Sequence, residues 1–295
     1  MRSTGPMRFT GTMRFAIKTS PQDTAWADML AVWQAADEIE LFESAWTFDH
    51  FYPIFTEQVD GDCMEGWVTL AALAQATRRI RVGVLVTGLP YRHPAVLANM
   101  AATLDIVSGG RLELGIGAGW NEVEAAAYGI DLHATLTERF DAFDEGCEAI
   151  IGLLSNEQTT FTGRYVQLTD AYCNPKPIQR PHPPICIGGQ GERRTLRSVA
   201  RFAQHWNYPG GPVEQFESKL QVLHAHCADV GRDPAEITVS THLRGRPGLE
   251  GIDDVVDQAK RYGDAGLDLG IVYLQPPHTP AVLEPLAAAL EPLAG

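Results

Sequence analysis

The sequence predicts an α/β fold, a closed (β/α)8 TIM barrel. Strand-like and helix-like segments alternate about eight times along the 295 residues, the pattern of a parallel sheet whose strands are joined by helices. Several strand-like segments are apolar throughout, which is typical of strands covered on both faces. No Gly/Ser-rich or charged linker divides the chain, so a single domain over residues 13–295 is expected. An open doubly wound sheet is the alternative.

Four strand–helix units account for the first half of the chain. The predicted strands occupy residues 14–19, 45–48, 80–88 and 111–117. The third of them, IRVGVLVTG, is apolar and rich in β-branched residues, which favours a strand covered on both faces. Asp23 is the candidate N-cap of the first helix, whereas Pro94 and Gly109-Gly110 mark the start and the end of the third.

An insertion that contains a hairpin separates the fourth and fifth strands. Two strand-like runs flank Thr162-Gly163, which is a turn signal, and a proline-rich segment leads into the next strand. The remaining strands are predicted at residues 185–189, 205–210, 236–245 and 267–277. Residues 1–12 precede the first strand pattern and are predicted to be a loose extension.

Composition excludes several classes of function. The formal net charge is −14 without any Lys/Arg-rich run, which argues against nucleic acid and anionic membranes as partners. The five cysteines are scattered and never form CxxC, which favours a reducing cytoplasm and argues against structural zinc or another metal site. No apolar stretch approaches the ~20 residues that span a bilayer. A cytoplasmic protein that acts on a small molecule is therefore predicted.

Asp49-His50 directly follows the second predicted strand. In a (β/α)8 barrel the active site is built from the loops at the carboxyl ends of the strands. Histidine titrates near neutrality and can give or take a proton, while Asp49 could orient the imidazole or bind the ligand itself. The alternative is a turn in which Asp49 caps the next segment and His50 has no function.

Two glycine-rich stretches also follow strands. GIGAGWNE (115–122) has three glycines at alternate positions, which permit either close approach of a ligand or close packing. ICIGGQGERRTLRS (185–198) places a glycine-rich turn before a helix whose first turn is expected to hold Arg193 and Arg194. Backbone N–H groups, the helix end and arginine together suit a phosphate. A flexible turn with solvated arginines is the alternative.

Residues 79–129, RIRVGVLVTGLPYRHPAVLANMAATLDIVSGGRLELGIGAGWNEVEAAAYG, resemble the central signature of the luciferase-like monooxygenase superfamily. The resemblance extends over residues 13–275 and implies a (β/α)8 barrel with an insertion, commonly as a homodimer. The TFDHF segment resembles the branch that uses the deazaflavin coenzyme F420. It implies that Asp49 contacts the deazaflavin ring and that His50 lies at the face where hydride is transferred.

The same resemblance assigns the remaining cofactor contacts. A non-prolyl cis peptide is expected between Leu85 and Val86. Arg193 and Arg194, with Arg197, are the expected partners of the anionic F420 tail. The implied cofactor-binding residues are Asp49, His50, Leu85, Val86, Thr87, Gly88, Ala118, Gly119, Trp120, Gly188, Gly189, Gln190, Gly191, Arg193 and Arg194.

Two departures from the sugar-phosphate dehydrogenases of this branch bear on the substrate. Ile54 stands where those enzymes have tryptophan, and Trp120 stands where they have an acid used in proton transfer. A phosphorylated sugar is therefore not expected. Tyr52, Tyr91 and Trp120 predict an aromatic pocket for a small uncharged organic substrate.

These observations predict an F420-dependent oxidoreductase that transfers a hydride between the deazaflavin and its substrate. The first alternative is a monooxygenase that uses reduced FMN and dioxygen, and the second is a non-catalytic homologue that binds a flavin or deazaflavin. The deazaflavin carries carbon where flavin has its reactive N5, so it does not readily form the peroxyflavin that oxygen insertion requires.

Overall fold

The structure, a computed structural model, describes residues 13–294 and confirms the barrel. The predicted extension, residues 1–12, lies outside the described residues. Within them the strands are β1 (Arg14–Thr19), β2 (Phe42–Thr47), β3 (Arg81–Val84), β4 (Thr87–Gly88), β5 (Leu112–Gly117), β6 (Thr159–Thr162), β7 (Gln167–Ala171), β8 (Ile185–Gly188), β9 (His205–Tyr208), β10 (Thr238–Leu243) and β11 (Leu269–Leu274).

The barrel is closed by eight parallel strand positions, here called staves, of which the third consists of β3 and β4. The order of neighbours is β3-β2-β1-β11-β10-β9-β8-β5, and pairing of β3 with β5 completes the ring. The third stave is interrupted, since β3 ends at Val84 and β4 resumes beside β5 at Thr87. The bond between Leu85 and Val86, which fills the interruption, is cis, as expected from the sequence.

Helices cover the outside of the barrel. In the described part of the chain they are α1 (Trp26–Glu38), α2 (Gly66–Ala76), α3 (Pro94–Val107), α4 (Glu122–Tyr128), α5 (Leu136–Ser155), α6 (Thr195–Phe202), α7 (Val213–Asp229), α8 (Ile252–Asp264) and α9 (Leu283–Leu290). None of the helices that the structure describes is long and apolar enough to cross a membrane.

The residues at the helix ends agree with the sequence prediction at α3 but not at α1. Helix α3 begins at Pro94 and is followed by Gly109 and Gly110, both with positive φ, as predicted. The prediction for Asp23 was wrong, because the N-cap of α1 is Ala25 and no side chain caps that helix. Asp23 has φ 50° and donates its N–H to the carbonyl of Asp62, so it belongs to a turn before the helix.

The predicted hairpin is present between the fourth and fifth staves. β6 and β7 are antiparallel and follow α4 and α5, which confirms the insertion. The carboxylate of Glu145 on α5 accepts the backbone N–H groups of Arg164, Tyr165 and Val166 at 2.9, 2.7 and 3.0 Å. These bonds hold the hairpin turn against the helix.

A small apolar cluster closes the barrel interior below the site. Trp46 from β2 packs there with Leu85, Cys186 and Ile271, all of them buried. Gly83 makes room for the indole, since a Cβ at that position would lie 2.4 Å from Trp46 Cζ3. These side chains fill the barrel interior below the carboxyl ends of the strands, where barrel enzymes place their active sites.

Candidate active site

A cavity of about 430 Å³ lies at the carboxyl ends of the strands. Most of the residues singled out in the sequence line it together, although they come from four different strand ends. The predicted residues that line the cavity are His50, Leu85, Val86, Gly88, Tyr91, Ala118, Gly119, Trp120, Gly188, Gly189 and Gln190. Ile54, one of the two departures from the sugar-phosphate dehydrogenases, also lines it.

The cis peptide bulges into the cavity between two glycine-containing strands. A Cβ at Gly115 would lie 1.8 Å from the carbonyl oxygen of Val84, and one at Gly117 would lie 2.8 Å from Val86 Cγ2. Gly115 and Gly117 therefore make room for the bulge, while Gly117 and Gly119 also line the cavity, so both interpretations of this stretch stay open. Lys18 Nζ donates to the carbonyl of Leu85 at 3.0 Å and supports the bulge from β1.

His50 is held by a carboxylate that the sequence analysis missed. Its Nδ1 lies 2.8 Å from Oε2 of Glu124, a side chain with no exposed surface. The hydroxyl of Tyr91 donates to the same oxygen at 2.7 Å, and the N–H of Phe51 donates to Oε1. With Nδ1 occupied, Nε2 is the ring nitrogen of His50 that remains for a ligand in the cavity.

The ionisation of this cluster follows from its bonds. Burial alone would raise the pKa of Glu124, but the hydrogen bonds from His50, Phe51 and Tyr91 outweigh burial and lower it. The pKa of Tyr91 is raised by burial and by Glu124, so the phenol keeps its proton and remains a donor. Glu124 is therefore an ionised carboxylate next to the imidazole.

Asp49 does not line the cavity. Its two carboxylate oxygens accept the guanidinium of Arg92 at 2.5 and 2.9 Å, and its side chain has no exposed surface. Burial raises the pKa of Asp49, while Arg92 acts in the opposite direction. Arg92 also binds Glu65, the N-cap of α2, at 2.6 Å. Asp49 thus anchors the loop that carries His50 and is absent from the cavity lining, and its contact with the cofactor ring stays a prediction.

Five other predicted residues, including Arg194, lie away from the cavity lining. Thr87 is buried and accepts the indole N–H of Trp67 at 2.8 Å. Tyr52 packs edge-on against Tyr128 with 5.5 Å between ring centroids and does not line this cavity. Arg193 and Gly191 are exposed on the turn before α6.

The turn after β8 differs from its prediction in one respect. Helix α6 begins at Thr195, so Arg193 and Arg194 precede its first turn. Arg194 is directed to α5, where it pairs with Asp141 at 2.5 Å. The loop nevertheless offers a polar atom to the cavity, because Gln190 lines it with a buried Oε1 that has no hydrogen-bond partner among the described residues. A ligand with an N–H or O–H donor fits this position.

Two aromatic side chains stand at the mouth of the cavity. Trp120 is 54% exposed and packs edge-on against His50, with 5.4 Å between centroids. Phe55, 78% exposed, stacks on Trp120 with 5.8 Å between centroids and an interplanar angle of 7°. This side of the cavity is suited to a flat or apolar group.

The opposite side carries basic residues that the sequence analysis did not single out. Lys18, His242 and Arg244 line the cavity from β1 and from the end of β10. Finding them from the sequence would have required knowing which side chains of β1 and β10 face the cavity and which strands are neighbours in the barrel. Their segments contain no glycine-rich motif that would have marked them as binding residues. As for metals, the described residues contain no group of three or more His, Cys, Asp or Glu side chains able to hold one.

The family model of luciferase-like monooxygenases matches residues 7–245. The chain belongs to the luciferase-like monooxygenase family. An uncharacterised protein of Mycobacterium tuberculosis (strain ATCC 25618 / H37Rv) is 30% identical over 207 residues, which cover 69% of this chain and 67% of that relative. The FMNH(2)-dependent dimethylsulfone monooxygenase of Pseudomonas putida is 30% identical over 179 residues, 60% of this chain and 48% of that protein.

Solved structures share the fold at lower identity. An F420-dependent secondary alcohol dehydrogenase, in complex with an F420–acetone adduct, has a TM-score of 0.82 and 17% identity, covering 96% of this chain and 98% of that chain. The long-chain alkane monooxygenase LadA has a TM-score of 0.78 and 14% identity, covering 96% and 92%. The fold is therefore common to both kinds of enzyme, and the reaction has to be argued from the site.

Proposed function

We propose that the chain is an F420-dependent oxidoreductase that transfers a hydride between the deazaflavin and a small organic substrate. The observation that carries the proposal is the pairing of His50, at the cavity, with the buried carboxylate of Glu124 at 2.8 Å. Interconversion of an alcohol and a carbonyl moves a proton as well as a hydride, and this pair is built to handle the proton.

In this proposal the deazaflavin, when bound, accepts or delivers the hydride. His50 exchanges the proton of the substrate oxygen at Nε2, because Nδ1 is held by Glu124. The ionised Glu124 stabilises the imidazolium that forms, and Tyr91 and the backbone of Phe51 fix the carboxylate in place. Fixed geometry of this kind lowers the entropic cost of bringing the reactants together.

The cavity has features that suit a flat ring with a polar tail. Leu85 and Val86 line the cavity with apolar side chains that suit a ring, and Gln190 in the loop at residues 188–191 offers its side-chain oxygen to a hydroxyl or N–H donor. Gly119 and Gly188 line the same space without side chains. The homodimeric state implied by the resemblance, and the cytoplasmic location predicted from the scattered cysteines, are part of the same proposal.

A second candidate is a monooxygenase that uses reduced FMN and dioxygen. It is favoured by the 30% identity with the FMNH(2)-dependent dimethylsulfone monooxygenase and by the exposed aromatic pair at the cavity mouth, Phe55 and Trp120. In that candidate His50 and Glu124 would also lie beside the ligand, and the relative affinities for F420 and FMN distinguish the two functions.

Anaerobic titration of the purified protein with F420 and with FMN tests the proposal, using quenching of tryptophan fluorescence as the signal. F420 is expected to bind at least about tenfold more tightly than FMN, a difference of about 1.4 kcal/mol. The Trp120→Phe variant identifies the site, because it should lose part of the quenching without losing affinity.

Tight binding of FMN alone would contradict the proposal. Consumption of oxygen in the presence of reduced FMN would then support the second candidate. Tight binding of F420 without turnover on any alcohol or ketone of a broad panel would instead support a non-catalytic homologue.

A further inference from the structure

One wall of the cavity is formed by Lys18, His242 and Arg244, whose side chains have no acidic partner among residues 13–294. The cavity lining contains no Asp or Glu among the described residues, although the whole chain has a formal net charge of −14. The two walls of the cavity therefore differ in whether their charged side chains are paired. Beside β2 and β5 the charges are paired, whereas beside β1, β10 and β11 they are not.

Lys18 is the innermost of the three. It is 8% exposed, and its Nζ donates to the carbonyl of Leu85 at 3.0 Å and lies 5.2 Å from the centroid of the Tyr273 ring. No carboxylate lies within 4 Å of this ammonium among the described residues. Burial, followed by the charge of Arg244, lowers the pKa of Lys18 to about 7. An anion at this wall would relieve both effects.

Arg244 lies at the outer end of the same wall. Its guanidinium carbon is 5.5 Å from the centroid of the same Tyr273 ring, so Lys18 and Arg244 converge on one aromatic side chain. The side chain of Gln258 holds the backbone of Arg244, accepting its N–H at 3.1 Å. Arg246, two residues further along, is by contrast paired with Asp254 at 2.9 Å and lies outside this cavity.

His242 is the third residue of this wall. It is buried and lines the cavity, yet neither of its ring nitrogens has a hydrogen-bond partner in the described part of the chain. Unsatisfied buried groups of this kind are costly and rare in folded proteins. Burial, then Lys18 and Arg244, outweigh the nearby backbone of Pro209 and keep the pKa of His242 well below its usual range, so the ring is neutral and carries one N–H. Because the contact with Pro209 does not reach hydrogen-bond geometry, that N–H is available to a ligand.

We infer that Lys18, His242 and Arg244 form a binding site for an anionic oxygen group, a carboxylate or a phosphate, on a molecule that occupies the cavity. Lys18 and Arg244 supply the positive charge, and His242 donates a hydrogen bond. Loops after the last strands of (β/α)8 barrels frequently bind phosphate, which agrees with this position. The inference goes beyond the proposed hydride transfer and revises the expectation of an uncharged substrate, which was drawn from the departures at Ile54 and Trp120 and from the aromatic residues.

Benzoate and benzamide test the inference without any cofactor, because they differ in charge and hardly in shape. Their affinities are measured by isothermal titration calorimetry with the wild-type protein, with Arg244→Gln and with Lys18→Met. Benzoate is expected to bind the wild-type protein about tenfold or more tightly than benzamide, as a hydrogen bond to a charged group implies. Each variant should lose most of that preference.

Arg246→Gln is the matched control, since it removes an arginine of the same loop whose partner is Asp254. It should keep the full preference for benzoate. Equal affinities of the wild-type protein for the two probes, or no benzoate binding at millimolar concentration, would overturn the inference. So would a preference that survives in both variants. Thermal unfolding of each variant ensures that a lost preference is not a lost fold.

The source of the anion is resolved by a second titration, with F420 and with its phosphate-free deazaflavin core. If Arg244→Gln weakens F420 and leaves the core unchanged, the wall binds the tail of the cofactor. If both deazaflavins bind as before while the preference for benzoate is lost, the wall binds an anionic substrate. Either result supports the site, and neither depends on catalytic turnover.

Discussion

Two buried histidine–glutamate pairs lie at opposite ends of the barrel. His205, the first residue of β9, lies at the amino end, where Nδ1 is 3.1 Å from Glu113 and Nε2 is 2.6 Å from the hydroxyl of Ser240. His50 follows β2 at the carboxyl end and has only Nδ1 bound, to Glu124. The side-chain chemistry is the same, but only His50 retains a ring nitrogen for a ligand.

The difference shows how position in the barrel decides what such a pair does. At the amino end the charged groups are paired with one another, because Glu113 also binds Arg81 at 2.7 Å. Burial opposes ionisation there, but Cys186 and Glu113 raise the pKa of His205 to about 10, and His205 and Arg81 lower that of Glu113 to about 2. Such a pair stabilises the fold. The pair at the carboxyl end faces a cavity and is available for chemistry.

Replacing His50 with asparagine should have the largest effect on activity. Turnover is expected to fall by about 10²–10⁴-fold, the usual contribution of a general acid–base group, while the cofactor dissociation constant changes little. Steady-state kinetics and the fluorescence titration measure the two quantities separately. His93→Asn is the control, because His93 is an exposed N-cap of α3 and asparagine is a good cap. Unchanged turnover in His50→Asn would remove His50 from the mechanism.

Sequence reasoning succeeded where the signal is local or periodic. Alternating strand and helix patterns specify the barrel, and turn residues such as Thr162-Gly163 specify the hairpin. The position of His50 after a strand was enough to place it at the cavity, because every parallel strand of a barrel ends on the same rim. The cis bond at Leu85–Val86 came from the family resemblance, since nothing in the local chemistry of those two residues requires it.

The partners of His50 and the basic wall could not be read in the same way. Glu124 stands in the first turn of a short helix, where an acid is ordinarily explained by the helix dipole and solvent. It becomes the partner of His50 only through the approach of two rim loops. Lys18 and Arg244 come from near the two ends of the chain and meet only because β1, β11 and β10 are neighbours in the closed sheet.

Replacing His205 with glutamine should affect stability rather than chemistry. A folded-state pKa of about 10, above the ordinary 6.5, means that the charged pair stabilises fully below pH 6.5 and less as the pH rises toward 10. The pKa of Glu113, lowered from 4.5 to about 2, adds a loss as the pH falls from 4.5 toward 2. The variant should therefore lose roughly 3–5 kcal/mol of unfolding free energy near pH 6 and less near pH 9.

Urea denaturation of the wild-type protein and the variant at the two pH values measures this deficit. A deficit of equal size at both would show that the loss comes from packing of the ring and not from its charge. Cofactor affinity, measured on the folded variant, should stay unchanged because His205 does not line the cavity.

Glu124→Gln should give the smallest of the three effects. It tests most directly whether the charged carboxylate beside His50 takes part in the chemistry. The amide can still accept from Tyr91, but it removes the charge beside His50 Nδ1, and losing a hydrogen bond to a charged group costs about 1.5–3 kcal/mol. Turnover should fall roughly tenfold to a hundredfold, with KM and the cofactor dissociation constant nearly unchanged. Glu122→Gln, on the exposed side of the same helix, is the control. If KM rises while kcat is retained, Glu124 shapes the cavity and does not assist the proton transfer.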